Sequence, residues 1–424
     1  MKRFFYLFMV IAILMVGCTQ PKTLQTKTSE NPEESENPLE SSEESEKYQT
    51  LLSPNNELSI VRKPEAADYS YINPGKMAEL PIHNPNSSEL WQMDLRSSDL
   101  TNLDLKEDFE DLIYADFDSK TQWPDKLPDD FNPEMIMELG KNPGLGIREL
   151  HKKGITGKGV GIAIIDQSLL VDHVEHKEQL KLYEEIHCYA ERAAMHGPAV
   201  ASIAVGKNVG VAPEADLYYI AETHGTVNEQ GKFEWDLTWL AKSIDRIVEI
   251  NRILPEGKKI RVISISLGIG ENMSGYKETF ESIRKAREEG IYTIYVGSKD
   301  FTGLGRNPLK DADDITSYTK GEFWKNKEYY NNQLLIPMDA RCTASPTGIN
   351  DYVYYREGGL SLTVPYLAGL YALACQVNPD ISLDVFFFEA FNTSDTVIMD
   401  SSTEERLGKI VNPIRLIEKI ENMK

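Results

Sequence analysis

Three side chains in this 424-residue sequence could together perform nucleophilic chemistry. Asp166 closes the apolar run Val160-Gly-Ile-Ala-Ile-Ile165, His196 opens the small-residue stretch His196-Gly-Pro-Ala-Val-Ala-Ser202, and Ser361 opens Ser361-Leu-Thr-Val-Pro-Tyr-Leu-Ala-Gly369. A carboxylate, an imidazole and a hydroxyl are the groups from which an oriented base can make a serine nucleophilic. Each alone is ordinary: an aspartate after a strand is commonly a cap or turn residue, a lone histidine a satisfied structural group, and a serine before a helix an N-cap. Their surroundings are less ordinary. An aspartate ending a parallel strand lies where open sheets gather ligands and catalytic groups. Pro198 and Pro365 fall in first helical turns, where a missing N–H costs nothing. A serine at a helix N-terminus has free backbone N–H groups and the positive dipole end beside it, suited to an anionic intermediate.

From about residue 145 the texture is one of apolar strands alternating with helical patterns, which predicts a parallel sheet covered on both faces. Val160–Ile165, Asp216–Ile220, Lys259–Leu267 and Ile291–Val296 read as strands, and Leu237–Leu254 and Phe280–Glu289 as helices. Leu362–Val377 is apolar on nearly every side, so it should run buried through the domain. The expected class is α/β, a doubly wound and mostly parallel sheet with helices on both faces.

Order, spacing and flanks resemble the subtilase family of serine peptidases. His196 follows Asp166 by 30 residues and Ser361 follows His196 by 165. The stretch Gly157-Lys-Gly-Val-Gly-Ile-Ala-Ile-Ile-Asp166, with His173 downstream, resembles the family's aspartate strand. His196-Gly197 followed by Gly210-Val-Ala-Pro-Glu-Ala-Asp216 resembles its histidine helix and next strand, and Ile263-Ser-Ile-Ser-Leu-Gly268 the edge that pairs with substrate. Gly359-Leu-Ser361 through Gly369 resembles the serine motif, and Gly408-Lys-Ile-Val-Asn-Pro413 the closing segment. The resemblance covers roughly residues 145–415 and implies a serine endopeptidase acting on a peptide or protein. Ser361 would be the nucleophile, His196 the base and then the acid, and Asp166 the group that orients the imidazole. Ser266, Leu267 and Gly268 would offer backbone hydrogen bonds to an extended peptide. No cofactor is implied. Calcium is common in the family, but no loop shows a carboxylate cluster assignable to it.

The chain departs from the family pattern at several places. Asp166 is followed by Gln167-Ser168, His196-Gly197 by Pro198, and Leu360 precedes the serine. After Tyr292-Thr-Ile-Tyr-Val-Gly297, where the family carries an oxyanion-hole asparagine, stands Ser298. Ser298 and Ser361 are therefore the expected oxyanion residues, with Asn307 a more distant substitute. Losing one such donor costs about 10²–10³ in turnover. A surface subtilase fold that binds without cleaving is the second reading. His173, His176 and His187 are expected to be solvated loop histidines rather than a metal site. Gly154-Ile-Thr-Gly-Lys-Gly159 precedes a strand, whereas a dinucleotide fingerprint follows one, so it reads as a turn.

The N-terminal region points to a compartment. Lys2 and Arg3 precede the 13-residue apolar run Phe4–Val16, short for a membrane span of about 20. Met15-Val16-Gly17-Cys18 resembles a bacterial lipoprotein processing site, making Cys18 the expected lipidation residue and the outer face of the cell membrane the expected location. Residues 1–17 are expected to be the signal peptide, 18–61 a disordered Ser/Glu-rich tether, 62–144 an N-terminal extension against the main domain, and 145–424 the peptidase domain. A net charge of −22 argues against a nucleic-acid partner. Cys188, Cys342 and Cys375 permit at most one disulfide. A monomer is expected.

Overall fold

The computed structural model describes residues 48–54, 57–69, 76–87, 89–228, 230, 232–321, 333–400 and 405–424. The expected signal peptide, Cys18 and the tether up to residue 47 lie outside the described residues. Residues 50–424 form one compact unit.

Its centre is a six-stranded sheet. From the edge strand Gln49–Leu51 it runs through Leu180–Cys188, Asp216–Ala221, Gly161–Asp166, Ile260–Gly268 and Tyr292–Val296. The last four pairings of that order are parallel. The aspartate strand Gly161–Asp166 is buried at all six positions, as a strand covered on both faces must be. The histidine helix His196–Val205 and the serine helix Thr363–Val377 pack together and against the sheet, while Thr238–Ile253 and Tyr276–Glu288 pack as a second pair. The architecture is the expected α/β one, and each predicted element is found within a few residues of its expected ends.

The serine helix meets the length and hydropathy of a membrane span, yet 83% of Leu360–Val377 is buried inside the fold. It is a core helix. Gly369 is what lets it sit so close to its neighbour: a Cβ there would lie 2.7 Å from Val211 Cβ and 3.1 Å from Ala204 O.

Strand Leu180–Cys188 is unpredicted. Its Leu-Lys-Leu-Tyr-Glu-Glu-Ile-His-Cys sequence carries two adjacent glutamates, and both are fully buried. Glu184 accepts from Arg246 Nε and Nη2 at 2.9 Å each and from Ser53 N at 2.8 Å. Glu185 accepts from Arg62 Nε at 2.8 Å. Partners from elements remote in sequence make this charged strand a buried one.

Beside a two-stranded ribbon of Gly225–Val227 with Phe233–Trp235, two larger sheets follow. One runs Tyr318–Lys320, Phe301–Arg306, Leu334–Pro337, Glu405–Ile410, Asp395–Asp400, and the other Arg341–Ala344, Tyr352–Tyr355, Phe117–Asp118. The second takes its third strand from the N-terminal extension. Leu100–Ile113, irregular but for the short helix Phe109–Leu112, places Leu100, Leu105 and Leu112 in a core cluster with Met93, Phe117 and Tyr354. The tether expectation changes at its end. Residues 50–53 and 57–61 contact the strand Leu180–Cys188, with Ser53 N on Glu184, His187 N donating to Thr50 Oγ1 at 3.1 Å and Tyr183 N to Ser59 O at 3.0 Å.

Candidate active site

Asp166 ends its strand with the carboxylate 1% exposed. The next N–H, of Gln167, donates to Asp166 Oδ1 at 2.8 Å. His196 is the first residue of its helix, and its Nδ1 lies 2.7 Å from the same Oδ1. A carboxylate accepts only, so Nδ1 carries the proton and Nε2 is left as a base. Gly197 makes this approach feasible. A Cβ there would come within 2.5 Å of Gln167 O, 2.6 Å of Tyr219 Oη and 2.8 Å of Ser168 O.

Sequence reasoning passed over the groups that hold this turn. Tyr219, on the neighbouring strand and paired with Ile164, donates its hydroxyl to Gln167 O. Burial pushes the Tyr219 phenol far up, with Asp166 adding to it, so the hydroxyl stays a donor. Ser168 Oγ donates to Arg192 O at 2.6 Å, and Ala194 N to Ser168 O at 3.0 Å. One strand over, Glu222 N donates to Asp166 O at 2.8 Å, and the Glu222 carboxylate meets His224 Nδ1. Burial pulls the His224 imidazole down, but Glu222 outweighs it and the net shift is upward. The visible signal for these groups was a pair of tyrosines, Tyr218 and Tyr219, and a Glu-Thr-His in a run otherwise aliphatic.

Ser361 lies in the tight turn Leu360–Leu362, just before the serine helix, and this turn packs against the histidine helix. Its Oγ donates to Ser266 O at 3.2 Å, while Ser266 Oγ donates to Ser361 O at 2.8 Å. The structure thus brings Ser361 to Ser266 by reciprocal bonds and Asp166 to His196. Around Ser266 the strand bulges: Ile265 pairs with Tyr295 but Gly268 with Val296, and Leu267 between them is buried.

Ser298 follows the end of the adjoining strand. Its hydroxyl donates to the Asp300 carboxylate, and Asp300 N donates back to Ser298 Oγ at 3.2 Å. Gln333 Nε2 caps the same turn through Lys299 O and Phe301 O, both at 3.1 Å. Asn307 is exposed, its Oδ1 accepting from Leu309 N at 2.9 Å.

His173, His176 and His187 are buried rather than solvated, contrary to expectation. His173 and His176 stack at 5.5 Å, and their Nε2 atoms donate to Asp351 O and Leu170 O, each at 2.9 Å. His187 packs on Trp239 at 4.3 Å. Carbonyl partners for His173 and His176, and the Trp239 ring for His187, explain the burial. No group of three or more metal-ligating side chains occurs among the described residues. Cys188, Cys342 and Cys375 are all free and buried.

The sequence profile of the subtilase family matches residues 157–299, a stretch that contains Asp166, His196 and Ser298 and stops before Ser361. Over that stretch the chain is subtilase-like. Proteins it is similar to include subtilisin-like protease PopC of Myxococcus xanthus (strain DK1622), 22% identical over 273 residues, 56% of this chain and 56% of the relative. The major intracellular serine protease of Bacillus subtilis (strain 168) is 26% identical over 262 residues, 57% of this chain and 77% of that protein. The minor extracellular protease Epr of the same organism is 24% identical over 241 residues, 55% and 34% respectively. The chain spans about half the length of the first of these relatives. A solved structure titled for the prenylagaramide maturation protease PagA aligns with 65% of the chain and 98% of its own length, at 16% identity and a TM-score of 0.47.

Proposed function

We propose that this chain is an exported, lipid-anchored serine endopeptidase that cleaves a peptide or protein substrate through Asp166, His196 and Ser361. The observation that carries the reading is the 2.7 Å bond from His196 Nδ1 to buried Asp166, on a helix against which the Ser361 turn packs. In the reaction Ser361 Oγ turns from Ser266 O toward His196 Nε2, loses its proton there and attacks the scissile carbonyl. Asp166 holds the tautomer and stabilises the imidazolium, which then gives its proton to the leaving amine. The acyl-enzyme is hydrolysed by water through the same base. Ser266, Leu267 and Gly268 bind the peptide as an added strand, and the Ser361 backbone N–H faces the oxyanion, with Ser298 standing where a second donor is expected and its hydroxyl held by Asp300. Cys18 carries the lipid, which puts the domain outside the cell membrane.

Reaction of the full chain with a fluorophosphonate tests the catalytic claim. Stoichiometric label on wild type and none on Ser361→Ala supports it. An unlabelled, correctly folded wild type would sink it. The binding-only reading is favoured by one feature, the hydroxyls of Ser298 and Ser361 being bonded to Asp300 and Ser266 O. That reading expects peptide binding without label. Acylation of the wild type but not of Cys18→Ser by a labelled fatty acid tests the anchor.

A further inference from the structure

We infer that residues 57–67 form a strap retained in the working protein, and that Arg62 on it is a positioning residue for the Asp166–His196 pair. The catalytic part of this inference rests on the peptidase reading above.

The strap extends the central sheet. Tyr183 N donates to Ser59 O and Val61 N to Tyr183 O, each at 3.0 Å, giving a parallel pairing of Ile60 with Tyr183. Arg62 then turns inward. Its Nε donates to Glu185 Oε1 at 2.8 Å, its Nη2 to Ala190 O at 2.6 Å and its Nη1 to Glu191 O at 2.7 Å. Beyond it, Ala193 N donates to Glu65 O and Ala67 N to Pro346 O, both at 2.8 Å. One short segment thereby fixes the whole run from Tyr183 to Ala193, which delivers the chain into His196.

A second route leads from the same guanidinium to the aspartate. Glu185 Oε1 also accepts from Tyr183 Oη at 2.9 Å. The Tyr183 ring lies parallel to that of Tyr219, with centroids 5.9 Å apart. Tyr219 donates to Gln167 O, and Gln167 N donates to Asp166. Both arms of the pair thus rest on Arg62. Glu185 is fully buried, so removing Arg62 leaves a carboxylate uncompensated in the interior, which is strongly destabilising. A segment that supplies a buried counter-charge is part of the fold, unlike an inhibitor that covers a finished site.

Two measurements on the full chain test this. Intact mass and N-terminal sequencing of protein purified from membranes of an expressing bacterium should find Arg62 in the mature form. A mature chain that begins beyond residue 67 and remains folded overturns the inference. In the second measurement, Arg62→Met should lower kcat by about 10²-fold, the scale of a displaced catalytic group, with KM unchanged. Amide exchange should quicken over residues 183–195. Arg62→Lys should recover part of the rate, since an ammonium can meet Glu185 but lacks the fork that spans the two carbonyls. Wild-type kcat and exchange in Arg62→Met overturn the inference, as does a fall in kcat no larger than the loss of folded protein with no quickening over 183–195 beyond that of the rest of the domain. If the wild type neither labels nor cleaves, the peptidase reading has failed. Exchange then decides the strap alone: quickening confined to 183–195 upholds it, and no change overturns it.

Discussion

The two halves of the site are built to different standards. On the Asp166–His196 side, the carboxylate is buried, its strand paired on both flanks, and the following turn held by Tyr219, Ser168 and Glu222. On the Ser361–Ser298 side, both hydroxyls point to partners that take no part in chemistry, Ser266 O and Asp300. The first half is preorganised, with little freedom left to lose. The second must rearrange before it can act, and rearrangement at the moment of reaction is what an effective oxyanion site avoids.

The largest effect should come from the finished half. Asp166→Asn keeps the shape but presents an N–H or a weak acceptor to His196 Nδ1, favouring the wrong tautomer. A drop in kcat of about 10⁴-fold is expected, read by steady-state kinetics on a peptide substrate. A loss smaller than that of Arg62→Met would break the contrast, because the half taken as preorganised would then contribute little.

A smaller and opposite effect should come from the unfinished half. Ser298→Asn supplies the longer amide donor and should raise kcat by up to about 10²-fold. Ser298→Ala should leave kcat nearly unchanged, since that hydroxyl already donates to Asp300. If instead Ser298→Ala falls by about 10²-fold, the hydroxyl turns to the oxyanion in the complex and the two halves are equals after all.

What could be read in the sequence divides along physical lines. Apolar strands and helices such as Gly161–Asp166 and Thr363–Val377 carry their own signal, because period and composition are local. The aspartate, histidine and serine were legible through their place at the ends of those elements. Leu180–Cys188 was not, because two adjacent glutamates forbid burial unless arginines arrive from residues 62 and 246, and no local pattern announces them. The same holds for Leu100–Ile113. Its Asp and Glu mask leucines that meet Tyr354, a residue more than two hundred positions later. The commitment of the Ser298 hydroxyl to Asp300 is a matter of rotamer and turn, which sequence does not encode.

The mildest test concerns the turn after Asp166. His176 donates through Nε2 to Leu170 O, so its Nδ1 is unprotonated, and among the described residues that atom is buried with no hydrogen-bond partner. Burial, with His173 beside it, holds its pKa down at about 3 against 6.5 for a free imidazole. Burial also lowers His173, whose Nδ1 accepts from Glu175 N at 3.2 Å and would lose that bond on protonation. Between pH 6.5 and about 3 the unfolded chain therefore carries protons that the folded chain refuses. Stability from these imidazoles is present above the unfolded value and is lost as pH falls toward the folded one. Melting of the full chain should thus begin at lower temperature on acidification through that window. His176→Gln, which cannot titrate but can still donate to Leu170 O, should flatten the slope. Exchange measured alongside should quicken in residues 168–177 before residues 360–362, since the titrating groups lie on the aspartate side. Equal slopes for wild type and variant would remove His176 from the account. Quickening first at the serine turn would show that the half with rearranged hydroxyls is also the first to open in acid.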